Sequence, residues 1–449
     1  MDKRSAAVLL ERTIELAQKR GAKASECSWA SGVSGSFSVC DDALERSRTS
    51  RFFAVGLRVL DGENRQGVAS LTDFDGDVVS ELCDAAFANA RGNAPEDDVV
   101  FAEKSPTPAG QDLGVYDPAL PEWSAKEQIE LCLTMSREAR ALDARVRGVR
   151  SSAVHSLSGE MQSLNSFGAF YESKMTSGSL SMTLLANDGE ATEINGASNE
   201  ARSRARLLAL LPVREAVKNS VRLLNSRPLC SGRYTLVLEP AVTASFLTVL
   251  ADLFCASNVC KDLSLLAGRL GEPVASKSLT LIDDGRLFAG SGTSHCDSEM
   301  IQTQKTTVLD RGRVVRWLCN LQYGKRLGFP STGNCARGLD SLPDVDVNNF
   351  YVVPGDRDCE TIIAALGKCF RVAELMGLHT VDPVTGDFSL GARGVYYEHG
   401  ASLPVAQVTI AGNLLDFLKQ ITEVGSDLRF FGRFGGCTMV VEDIAVAGT

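Results

Sequence analysis

The 449-residue sequence predicts an α+β protein: an amino-terminal part of two similar helix–strands–helix units, then a curved, largely antiparallel β-rich carboxy-terminal domain. Three observations carry this expectation. Helical periodicity near the start gives way to strand alternation, the same order recurs after Ser124, and from Gly232 short strands alternate with glycine-rich turns. A chain of this length also needs more than one core.

Taken in order, Ala7, Leu10, Ile14 and Ala17 fall on one helical face, and Gly21 supplies a stop. Alternation around Val33, Phe37 and Val39 predicts a strand. A second, Phe53 to Leu60, turns at Asp61-Gly62 into a third around Val68 to Leu71. Val79, Leu82, Cys83, Ala86, Phe87 and Ala90 then line a helix, closing a unit over residues 1–101. Residues 102–123, with Pro106, Pro108, Pro118 and Pro121, read as a linker.

The second unit, 124–228, opens on a capping box of Ser124 and Glu127 before a helix carrying Ile129, Leu133, Ala139 and Leu142. Strands are expected at Val149 to Leu157, Ala169 to Lys174 and Leu180 to Ala186, then a helix over 199–224 broken at Pro212. In the carboxy-terminal domain, 229–449, strands are expected at 234–238, 279–282, 306–309, 314–318, 350–353 and 405–410. Helices are expected at 241–256, 359–375 and 413–422.

Composition excludes several classes. The 46 basic and 56 acidic residues leave a net charge of −10, which opposes phosphate-backbone binding. Arg202, Arg204 and Arg206 read as a solvated helix face. Thirteen scattered cysteines without a Cys-x-x-Cys suit reduced, buried thiols, with Cys255 and Cys260 as packing residues. No secretory hydrophobic core and no long apolar run is present, so the expected address is the cytoplasm, off the membrane.

Several strings then occur together. They are Gly232-Arg233-Tyr234-Thr235-Leu236-Val237-Leu238 with Pro240; Asp283-Asp284-Gly285; Ser331-Thr332-Gly333-Asn334; Thr385-Gly386-Asp387-Phe388-Ser389; and Ile410-Ala411-Gly412-Asn413-Leu414-Leu415. Gly56-Leu57-Arg58-Val59 and Gly67-Val68-Ala69-Ser70 lie upstream. In order and spacing the chain resembles the PmbA/TldE branch of the TldD/PmbA family, also labelled "modulator of DNA gyrase". The resemblance implies pairing with a zinc-bearing TldD-like peptidase subunit that trims extended, unfolded peptides, or a homodimer when alone. It also implies links to microcin maturation and antitoxin removal; the gyrase label describes a phenotype.

A catalytic zinc needs protein ligands, an open position and a general base. TldD chains resemble this recipe through a helical His-Glu-x-x-x-His and a later Cys. Here Thr248, Val249 and Leu253 stand at those positions, and Val and Leu offer no lone pair. Ser245, Thr248 and Asp252 form a thin polar stripe on an otherwise apolar helix. The four histidines, His155, His295, His379 and His399, are scattered, and none precedes a Glu. His295-Cys296-Asp297-Ser298-Glu299, with Met300 where the family has glycine, reads as a polar loop. His399, in Glu398-His399-Gly400, reads as a turn residue, and Cys437 as a small buried hydrophobe. No Gly-x-Ser-x-Gly elbow occurs. Gly285 and Gly290 have the P-loop separation, but Ser291 replaces the lysine, and Asp283-Asp284-Gly285-Arg286 reads as a hairpin turn.

The expectation is a subunit with no catalytic and no metal residues of its own and no cofactor, zinc belonging to the partner. The competing readings are a stand-alone metallopeptidase with an unrecognised site and a regulator binding DNA gyrase.

Overall fold

The computed structural model describes residues 3–72, 76–106 and 111–448, so Pro108 of the linker lies outside the described residues. Helix α1 (Lys3–Lys19) ends before Gly21, whose φ of +93° a Cβ would oppose. Strands β1 (Ala24–Cys40), β2 (Ala43–Leu60) and β3 (Gln66–Leu71) follow, then α2 (Val78–Arg91), capped by Asp77.

The predicted capping box forms. Ser124 Oγ accepts from the Glu127 N–H, and the Glu127 carboxylate accepts from the Ser124 N–H, opening α3 (Ala125–Leu142). Next come β4 (Val146–Asn165), β5 (Phe170–Asp188) and β6 (Ala191–Ala201). The two units do not keep separate sheets. β1 pairs with β4 from Glu26↔Asn165 to Val39↔Ser152, giving one antiparallel sheet in the order β3-β2-β1-β4-β5-β6. Neither three-stranded half alone would cover its inner edge. α1 and α2 pack on Cys27, Trp29, Val55 and Leu57 at one end, while α3 covers Phe37, Val39, Val149 and Leu180 at the other.

Two expectations are corrected here. The strands expected at 169–174 and 180–186 are one strand, β5, because pairing with β4 carries the chain through Ser177, Gly178 and Ser179, and β6 joins from Gly178 onward. The helix expected over 199–224 starts later, since residues 199–201 still belong to β6. It splits into α4 (Arg204–Ala209), capped by Ser203, and α5 (Val213–Val221) after Pro212. The linker is packed along the sheet: Leu113, Leu120 and Trp123 are buried, and the Thr176 N–H donates to the Val115 carbonyl at 2.9 Å.

The carboxy-terminal part begins with β7 (Gly232–Leu238), α6 (Pro240–Phe254), α7 (Ala256–Cys260), β8 (Leu281–Asp284), β9 (Lys305–Asp310) and β10 (Arg313–Val314). It continues with α8 (Leu321–Leu327), β11 (Cys335–Ala336), β12 (Asp344–Val345), β13 (Phe350–Val352), α9 (Cys359–Leu366) and β14 (Lys368–Met376). Long β15 (Asp387–Glu398) and β16 (Ala401–Asn413) precede α10 (Leu414–Lys419), β17 (Ile421–Val424), β18 (Arg429–Phe431), β19 (Phe434–Gly436) and β20 (Met439–Ala447). One sheet runs β10-β9-β8-β13-β19-β18. The other, β16-β15-β14-β7-β20-β17, curls until β20 also pairs with β16, closing it on itself.

Here too the apolar runs misled locally. Gly367, at φ +65°, ends α9, and the rest of the expected 359–375 helix is β14, held between β15 and β7. Residues 421–424 are strand β17, so the helix expected to 422 stops at Lys419. Of the strand expected around 314–318 only Val314 belongs to a strand, β10, while Leu318 makes an isolated bridge to Cys255. Short apolar stretches fit either period, and sheet position decides.

The main core of this part runs from Leu229 to Val446, while the other large clusters end at Val217. A small patch of Ala102, Ala169 and Met300 bridges the two parts. Among the described residues no helix is long and apolar enough to cross a membrane.

Candidate functional site

Helix α6 begins with Pro240, whose missing N–H costs nothing at the first turn. Its floor is β19. A Cβ on Gly436 would lie 2.0 Å from the Pro240 carbonyl oxygen, so only glycine lets the helix seat there. Ser245, Thr248 and Asp252 occupy its exposed side. Ser245 Oγ donates to the Ala241 carbonyl (3.0 Å) and Thr248 Oγ1 to the Ser245 carbonyl (2.7 Å), so both hydroxyls are turned back onto their own helix. Val249 packs half-buried against the core, and Leu253 is 0% exposed within it. Asp252 faces Asp346, Arg433 and Asp344, and partial burial with repulsion from Asp346 raises its pKa. These side chains do not fit a zinc ion: one hydroxyl is engaged and two positions are hydrocarbon.

The histidines stay apart, on β4 (His155), in the loop after β8 (His295), in the single turn Leu378–Thr380 (His379) and at the β15–β16 turn (His399). Among the described residues no three His, Cys, Asp or Glu side chains are grouped as metal ligands would be. Cys437 is fully buried, its thiol pushed up to about 12 by desolvation.

The segment expected to be a polar loop is a loop, and its polar side chains form a buried joint. Asp297, Glu299 and Cys296 are all buried. Met300, at the position where the family resemblance places a glycine, adopts φ +61°, a conformation a side chain resists. Glu299 forms an ion pair of 3.3 Å with Arg58 of β2, both essentially unexposed, and Arg337 pairs with Glu26 of β1 in the same way. Arg58 also donates to Gln66 (2.8 and 3.0 Å) and lies 4.3 Å from the Phe101 ring centre. Buried charge thus stitches the amino-terminal sheet to the carboxy-terminal domain.

Asp283 is no hairpin turn either. It lies within β8 at 0% exposure, and after Asp284 the chain takes twenty residues to return in β9. Its carboxylate accepts from Asn334 (2.8 Å) and Asn348 (2.7 and 3.0 Å). Arg202, expected on a solvated face, is buried and donates to the carbonyls of Gly290 (3.1 Å), Thr293, Thr176 and Ser291. The glycine-rich loop therefore presents carbonyls to a cation, the reverse of a phosphate cradle. Arg204 pairs with Glu127 at 2.7 Å, and only Arg206 is exposed.

The recurring strings bond to one another. Asn413 caps α10 and donates to the Thr385 carbonyl (2.9 Å), while Asp387, Phe388 and Ser389 pair with Asn413, Gly412 and Ala411. Asn334 reaches Asp283. Their role is architectural.

Three family models match the chain: the PmbA/TldA metallopeptidase domain 1 over residues 26–90, the central domain over 118–224 and the C-terminal domain over 231–448. The chain belongs to the PmbA/TldD family. Among relatives, Metalloprotease PmbA of Escherichia coli O157:H7 is 26% identical over 398 residues, covering 88% of this chain and 86% of that protein. A Metalloprotease PmbA homolog of Haemophilus influenzae is 26% identical over 440 residues, covering 97% and 94%. TldE from Thermococcus kodakarensis superimposes with a TM-score of 0.87 at 22% identity, over 98% of this chain and 100% of that one. This PmbA/TldD chain therefore has the family's fold throughout.

The residues missed in sequence were the buried charges. The available signal was a charge inside an apolar strand run: Arg58 between Leu57 and Val59, Asp283 after Leu281 and Ile282. Their protonation has a consequence for this PmbA/TldD chain. Burial raises Asp283 to about 7, and burial with repulsion from Glu299 raises Asp297 to about 8. The folded chain then holds protons that the unfolded chain releases near pH 4. Stability contributed this way is complete below about pH 4 and lost as pH rises through about 7 to 8. Thermal melts are expected to show Tm falling from about pH 5 to 8, with Asp297→Asn flattening the decline.

Proposed function

We propose that this chain is the zinc-motif-lacking, non-catalytic subunit of a TldD/TldE-type metallopeptidase that processes or degrades unfolded peptides. The zinc and the general base belong to a TldD-like partner, and the working site is the cytoplasm. The observation that carries this reading is α6. Thr248 is bonded to its own helix, Val249 packs on the core and Leu253 is wholly enclosed, at the positions where the family resemblance places a His, a Glu and a His. A valine takes no proton from water. The chain retains the family's carboxy-terminal architecture, which suits it to complete a chamber around another subunit's metal.

The test is co-expression with a TldD-like protein of the same genome. The two are expected to copurify and to cleave an unfolded casein-type substrate, whereas this chain alone leaves it intact. Elemental analysis of the lone chain after mild dialysis is expected to find far less than one zinc per molecule. One tightly held ion, lost on replacing His295 or Cys437 by alanine, would overturn the reading.

A further inference from the structure

Where the central sheet meets the carboxy-terminal domain, two sheets end side by side. β6 is the last strand of one and β18 the last of the other. Arg429 of β18 bridges the gap, donating to Asn199 (2.9 Å) and to Glu215 (2.5 and 2.6 Å). A cavity of about 940 Å³ opens on one side of this bridge and one of about 390 Å³ on the other, and Arg429 and Glu215 line both. With the Arg429–Glu215 pair as the wall they share, they flank β18 as a divided groove.

Its two ends differ in chemistry. The larger end carries the apolar walls: Phe288, 67% exposed, and Leu211, 37% exposed, face it together with Phe430, beside the charged Glu200, Arg202, Arg206, Glu215 and Arg429. The smaller end is cationic. Arg214, Lys218, Arg222, Arg371 and Arg429 line it against Glu239 and Glu215. Arg222 and Arg371 are both spent on Glu239, and Arg429 on Glu215. Among the described residues Arg214 and Lys218 at this end, and Arg206 at the other, have no ion-pair or hydrogen-bonding side-chain partner, so three cations face the groove unneutralised, two of them together at the smaller end.

We propose that this groove binds an extended peptide, apolar side chains at the Phe288 end and carboxylates at the Arg214–Lys218 end. Sheet ends supply main-chain donors and acceptors to an extended segment and tolerate many sequences. The exposed aromatic and aliphatic walls favour alternate apolar side chains, and the free cations set direction and preference for acid. The inference rests on the peptide-handling reading above and specifies which peptides this subunit engages.

The test uses the full-length chain and fluorescence anisotropy. One labelled, unstructured probe has alternating leucine and threonine followed by glutamates; a second ends in lysines. The acidic probe is expected to bind about tenfold tighter, a difference of about 1.4 kcal/mol. The exposed pair Arg214→Glu with Lys218→Glu, checked for native circular dichroism, is expected to invert that order. N-methylation of alternate amides in the acidic probe is expected to weaken binding by a similar factor. Equal affinity for both probes, or an order unchanged by the double reversal, overturns the groove. Copurification with the zinc-bearing partner is scored separately. If the pair assembles and cleaves while the probes bind equally, the subunit reading stands and the groove falls; if assembly fails while the order inverts, the groove stands.

Discussion

Replacing Arg58 by alanine is expected to cost about 3–5 kcal/mol of stability, the usual penalty for orphaning one partner of a buried ion pair. Glu299 would remain enclosed with the Leu321 N–H, at 3.0 Å, and the field of Arg337 to offset its charge, and Gln66 would lose two donors. Burial already raises the Glu299 pKa despite Arg58, so the mutant relieves itself in part by taking up a proton. Its melting curve should therefore recover on mild acidification. Arg58→Met combined with Glu299→Gln removes both charges at similar volume and is expected to be far closer to the native chain. Equilibrium urea unfolding of the three variants measures this. A loss below about 1 kcal/mol in Arg58→Ala would mean that water reaches the joint.

The second large effect concerns cleavage. When this chain is mixed with a TldD-like partner whose zinc histidines are alanine, peptide cleavage is expected to fall to background, at least about a thousandfold below the native pair. The reverse exchange, Thr248→Ala in this chain with a native partner, is expected to leave the rate within about twofold, because Thr248 bonds only to its own helix. The rate of appearance of new amino termini reads both. Metal-dependent cleavage persisting in the first mixture would reveal a site in this subunit, and a large loss in the second would put Thr248 in contact with substrate.

The helix α3 cap, the β2–β3 turn at Asp61-Gly62 and the break at Pro212 were legible because each depends on residues a few positions apart. The family strings were legible too; some of what they specify is local, such as the α10 cap and the pairing of β15 with β16, while the bond from Asn334 to Asp283 spans 51 positions. The apolar character of positions 249 and 253 needed no coordinates. Partners far apart in the chain escaped. Arg58 meets Glu299 across 241 positions and Arg337 meets Glu26 across 311, so no window along the sequence pairs them. Residues 199–201 read as helix until β5 supplied a neighbouring strand, and 368–375 until β7 and β15 enclosed them. Sequence by itself determined where periodicity, caps and chemically inert side chains fall, because these are properties of neighbouring residues. Tertiary structure alone decided which charges are buried, which strands end their sheets and where a groove opens. Those depend on what desolvates a group, and here the desolvating surface comes from a distant part of the chain.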